Sequence, residues 1–130
     1  MLAARARDLT PLLEVLQREL QDMIDHAWRS RRSPGGDRWP DTVRESESDG
    51  ETRRTARVRV DGQSLVLEVG AEHASFVLFG TRHQPARNPL PVEPRGGQLA
   101  WMERGDAGAW LARLPQRIES YLTGGEEWAT

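Results

Sequence analysis

Residues 74–90, ASFVLFGTRHQPARNPL, restrict the fold more than any other part of the chain. Ala74, Phe76, Val77, Leu78 and Phe79 make a short apolar element, and Gly80 is suited to end it at positive φ, as a helix C-cap residue does. Pro85, Pro89 and Pro91 then rule out a helix interior or a central strand, since each lacks the amide hydrogen those structures use. The chain must leave Gly80 along an extended or turning arm.

A long helix is predicted over 10–30. Thr10 reads as its N-cap and Pro11 as its first residue, where a missing N–H does no harm. Leu12, Leu13, Leu16, Leu20, Met23, Ile24, Ala27 and Trp28 recur at threes and fours and form one apolar face. The polar face mixes Glu14, Arg18, Glu19, Asp22, Asp25 and Arg29, so it faces water rather than an acidic membrane. Glu14–Arg18 and Asp25–Arg29 have the favourable i,i+4 order, each contributing ~0.3 kcal/mol if formed. Ser33-Pro34-Gly35-Gly36-Asp37 stops the helix, and Trp39 anchors the loop that follows. Residues 41–53 have almost no apolar side chains and read as a mobile loop.

The stretch 54–69 reads as a hairpin. Ala56, Val58 and Val60 alternate with arginines, Asp61-Gly62 is a two-residue turn signal, and Leu65 and Leu67 lie on the return strand. A turn centred on 61–62 sets Val60 opposite Gln63 and Val58 opposite Leu65. Ala56, Val58, Leu65 and Leu67 then share a core face, and Arg57, Arg59, Val66 and Glu68 the other. Arg57 and Arg59 are expected to pair with Glu68. Glu72 to Phe79 is read as a short helix or tight bend.

Past the proline-rich stretch, Gly96-Gly97 reads as a flexible joint and 98–102 as a third strand beside the hairpin. Asp106 is the expected cap of a C-terminal helix with Trp110, Leu111, Leu114, Ile118, Tyr121 and Leu122 on its apolar stripe, kinked or split at Pro115. Residues 124–130 read as a loose tail, with Trp128 docking somewhere on the body. The sum is one α+β domain over 1–130: a small antiparallel sheet against a long N-terminal and a C-terminal helix.

Composition narrows the chemistry. There is no cysteine, so disulfides and thiolate metal sites are excluded. No apolar run approaches the ~18 residues of a membrane span, and no signal-like apolar core opens the chain; a soluble protein without a membrane partner is expected. All 18 basic residues are arginine, yet the net charge is −2, which argues against a field that coats nucleic acid. His26, His73 and His83 lie in separate elements without metal-ligand spacing, and neither Gly-Gly pair sits in a phosphate-loop pattern. The expectation is no catalytic residue, no cofactor and no metal: not an enzyme. Arg53, Arg54, Arg57 and Arg59 form a basic cluster, a feature that also suits a small arginine-rich nucleic-acid-binding or regulatory module.

Val69-Gly70 through Leu90 resembles a segment of the small phage neck and tail-completion proteins, in which a phenylalanine-glycine-threonine block precedes alanine-arginine-proline-phenylalanine. Phe79-Gly80-Thr81 matches the first block. Ala86-Arg87-Asn88-Pro89-Leu90 stands for the second, with Asn88 as insertion or substitution. Ser33 to Pro40 is similar to the proline-x-glycine…tryptophan element that follows the first helix in the Mu-like and P2-like branch. The resemblance implies a structural virion protein that joins head to tail, assembled in the bacterial host cytoplasm as a ring of six or twelve copies. Its partners would be head-completion or adaptor proteins and tail-terminator or tail-tube proteins. Phe79, Gly80, Thr81, Arg82, Pro85, Arg87, Pro89 and Leu90 would form an intersubunit arm, Arg82 and Arg87 its ion pairs. Arg53, Arg54, Arg57 and Arg59 would face a lumen through which DNA passes.

Overall fold

A computed structural model describes residues 8–40, 52–70, 78–79 and 86–129. Helix α1 spans Thr10–Ser30, strands β1 (Arg57–Asp61) and β2 (Ser64–Glu68) form one hairpin, β3 (Val92–Arg95) and β4 (Gln98–Trp101) a second, and helix α2 spans Gly105–Leu122. A 3-10 turn, Glu127–Ala129, follows. The chain is α+β, with two antiparallel two-stranded sheets among the described residues rather than the one expected.

Helix α1 begins with Leu9 at the cap position, and the Asp8 carboxylate accepts from the Thr10 amide at 3.0 Å. The cap is thus one residue earlier than the sequence suggests, because Asp8 reaches the amide from outside. Leu12, Leu13, Leu16, Leu20, Ile24, Ala27 and Trp28 are buried, the expected face. Each large aliphatic side chain so removed from water contributes roughly 1.5–3 kcal/mol. Neither expected i,i+4 ion pair closes; among the described residues the ion pairs gather elsewhere.

The helix ends without glycine. Arg31 takes the left-handed conformation at φ 55, a strained choice for a side chain. Its guanidinium lies 5.8 Å from the Trp39 ring centre, a cation–π contact that offsets part of that cost. The Trp39 amide donates to Arg31 O at 2.8 Å, and Arg32 bridges Arg38, so 31–39 is a tight return. Trp39 is buried edge-on against Trp28, ring centres 5.3 Å apart.

In the first hairpin Val60 pairs with Leu65, Val58 with Leu67 and Arg57 with Glu68. The turn is Gly62-Gln63, not Asp61-Gly62. Gly62 has φ 59 and Gln63 a negative φ, the signs of a type II′ turn. This moves every partner by two residues and leaves each side chain on its expected face. Arg59 Nε meets Glu68 at 3.1 Å, a diagonal pair across the exposed face.

The segment 98–102 does not extend that sheet. It folds back on 92–95 through Gly96 and Gly97, both at positive φ, so the pair is a hairpin turn and not a loose joint. Pro94 fits because it stands opposite Leu99, next to the turn-closing pair Arg95–Gln98, where its nitrogen points away from β4.

Helix α2 runs unbroken through Pro115. Arg104 is its N-cap, Asp106 lies in its first turn, and Gly105 at φ +62 would bring a Cβ to 2.5 Å from the Gly35 carbonyl carbon. The buried face is Ala107, Arg117, Ser120 and Tyr121, while Leu111 and Ile118 are partly exposed. The tail is held: Trp128 packs edge-on against Tyr121 at 4.9 Å. Two core clusters result. Leu20, Ile24, Trp28, Trp39, Val58, Leu78 and Leu90 form one, and Leu12, Leu16 and Tyr121 the other.

Candidate functional site

The described residues on either side of 80–85 are anchored in the body. Leu78 is buried and belongs to the larger core cluster, while Phe79, next in sequence, is 38% exposed. At the far end Arg87 is 2% exposed, Pro89 is fully buried and Leu90 is buried against the same cluster. Asn88 sets the path between them. Its Oδ1 accepts from the Leu90 amide at 3.0 Å and its Nδ2 donates to Val92 O at 2.6 Å, so Asn88 stitches the turn. Arg87, Pro89 and Leu90, expected on an intersubunit arm, are buried within their own chain. The apolar proline rings and leucine find room in the core, and Arg87 follows them inward. Gly80, Thr81, Arg82 and Pro85 lie outside the described residues, as do His73, His83 and most of the segments 41–53 and 72–79.

Phe79 borders a cavity of about 250 Å³ whose wall includes Trp39, Leu78, Asn88, Met102 and Arg104. Its charged lining is Arg38 and Arg104 with the carboxylates of Asp37 and Glu93. Arg104 donates to both oxygens of Glu93, at 2.7 and 3.0 Å, and to Asp37. The Arg104 hydrogen bonds hold both the Asp37 and Glu93 carboxyls below their ordinary range, against a smaller opposing effect of burial. The same bonds, to Glu93 first and then Asp37, raise the guanidinium. The triad joins three pieces of chain: the 33–38 return, β3 and the start of α2. None of these residues stood out in the sequence, since each lies in a polar stretch and the pairing spans 67 positions.

Of the basic cluster, Arg53 and Arg54 lie in a helical turn over 52–55, and all four arginines are exposed. Thr52 in that turn is fully buried, so the polar segment does pack at its end. Arg57 and Arg59 share the solvent face of β1, but they are partly engaged. Arg57 donates to Ala56 O at 2.8 Å, and Arg59 pairs with Glu68 and with Asp61 at 3.6 Å.

Arg117 is the buried residue that the sequence reading passed over. The spacing 110, 114, 117, 121 is a helical stripe, and an arginine in phase with Trp110, Leu114 and Tyr121 was the available signal. It binds Glu19 of α1 through two N–H groups and the Trp128 carbonyl through Nε and a terminal nitrogen.

Among the described residues no group of three or more His, Asp or Glu is placed to hold a metal ion, and no helix is long and apolar enough to cross a membrane. Comparison with protein families, curated proteins and solved structures finds no match to the chain.

Proposed function

We propose that the chain is a structural subunit of the head–tail junction of a tailed phage or phage-like particle, acting by assembly into a ring of six or twelve copies. The observation that carries this reading is the anchored arm. A segment held in the core at Leu78 and again at Arg87–Leu90, with Phe79 turned outward between them, is suited to offer an aromatic side chain to a neighbour. Its sequence is the block that resembles the neck and tail-completion proteins. The second hairpin, β3–β4, adds sheet edges that another chain can cover. The interface is centred on Phe79 rather than on Arg87.

The test is Phe79→Glu in the producing strain. The variant is expected to fold, with an unchanged far-ultraviolet dichroism spectrum, and to leave heads and tails unjoined. Normal tailed particles from a folded variant would overturn the reading.

A further inference from the structure

The outer edge of β1 is occupied by side chains of α1. In a hairpin closed at Asp61–Ser64, Arg57, Arg59 and Asp61 bond toward β2, so Val58 and Val60 turn their N–H and C=O outward. Gln17 Nε2 donates to Val58 O at 2.8 Å, Gln21 Oε1 accepts from Val58 N at 3.0 Å, and Gln21 Nε2 lies 3.4 Å from Ala56 O. Residues 17 and 21 sit one turn apart on the same side of α1. A glutamine amide carries the donor and acceptor of a peptide group, so the two side chains reproduce the partners that a neighbouring strand would supply.

Beside them runs an open groove of about 740 Å³, lined by Glu14, Arg18, Asp22, Asp25 and Arg57. An extended chain could reach the edge along it if the glutamines were absent. Val60, the remaining outward residue, lies near the hairpin tip between Arg59 and Asp61, whose ion pair opposes edge-to-edge pairing.

We propose that Gln17 and Gln21 are an edge guard: a stand-in strand that closes β1 at Ala56–Val58 against strand addition by a second copy of this chain. Any assembly contact is thereby directed away from this edge. The inference rests on the hairpin and α1 alone and does not depend on the assembly role proposed above.

The experiment is the full chain with Gln17→Ala and Gln21→Ala together, compared with the parent by sedimentation over a wide range of concentration. The double variant is expected to keep its helical dichroism and to form species larger than any the parent forms, increasing with concentration and gaining strand signal. A folded double variant that sediments as the parent does overturns the proposal. Should the double variant not fold, amide exchange in the parent decides. Val58 is expected to exchange at least about tenfold more slowly than Val60, its outward but unguarded neighbour. Equal rates at the two positions would overturn the guard.

Discussion

Arg117 and Glu19, 98 positions apart, meet as a two-pronged ion pair that joins the two long helices, with one terminal nitrogen 2.6 Å from Glu19 Oε2. Trp110 Nε1 donates to the same carboxylate at 2.9 Å, and the other side of the guanidinium holds the Trp128 carbonyl at 2.7 Å. One buried cation thus fixes α1, α2 and the C-terminal 3-10 turn to each other. An unpaired charge in this position costs far more than the pair contributes when intact.

Glu19→Leu is therefore expected to destabilise the chain by about 3 kcal/mol in urea unfolding, because it leaves Arg117 buried without its carboxylate. Adding Arg117→Met should recover a large part of that loss, since two packed apolar side chains can replace a buried ion pair. A double variant no more stable than Glu19→Leu would mean that the pair is not a coupled unit.

Acid should unfold the protein through the same contacts. Burial pushes the Glu19 carboxyl upward, but hydrogen bonds from Arg117 and Trp110 together with nearby arginine charge outweigh it, and the net direction is down. Asp37 and Glu93 are lowered by Arg104. A carboxyl lowered in the folded state adds stability that is fully present above its unfolded value and is lost as pH falls through its folded value. Those ordinary values are 4.5 for the glutamates and 3.8 for Asp37. Stability from these groups should be level at neutral pH and decline progressively below about pH 4.5, a fall that urea midpoints measured across the acid range would show. Arg104→Gln should make that fall shallower.

Arg87→Glu tests the burial of this arginine. At 2% exposure, reversing its charge should cost about 3 kcal/mol or more and lower the yield of folded protein. Calorimetry of the purified variant would show it. A variant as stable as the parent would put Arg87 at the surface.

Gly105→Ala and Gly96→Ala separate backbone preference from crowding. Both glycines have positive φ, but only at 105 would the new methyl group meet backbone, that of Gly35 and Pro34; at 96 nothing lies within 4 Å. Gly96→Ala should cost about 1 kcal/mol and Gly105→Ala about 3 kcal/mol or more. Equal losses in thermal unfolding would show that the α2 start is not pressed against the 33–37 return.

The elements that rest on local pattern were legible in the sequence. The apolar face of α1, the two faces of the first hairpin, the packing of Trp39 and the docking of Trp128 all follow from spacing or from a lone large side chain in a polar segment. What escaped is what depends on distant partners. The register of β1 and β2 turned on which residue began the turn, and Asp61-Gly62 and Gly62-Gln63 place the same side chains on the same faces. Strand β4 pairs with a proline-bearing strand, which the rule against proline in central strands had set aside; in a lone hairpin the outward nitrogen of Pro94 removes the objection. The Arg104–Asp37 and Arg117–Glu19 pairs join residues 67 and 98 positions apart, and charged residues announce no partner. The resemblance places Arg87 and the prolines beside it on an intersubunit arm, and no local pattern marks them as buried.

The head–tail joining role proposed above is open to negative-stain microscopy of particles from a strain lacking this gene. Full heads accumulating beside separate tails is the predicted result; intact tailed particles would contradict it.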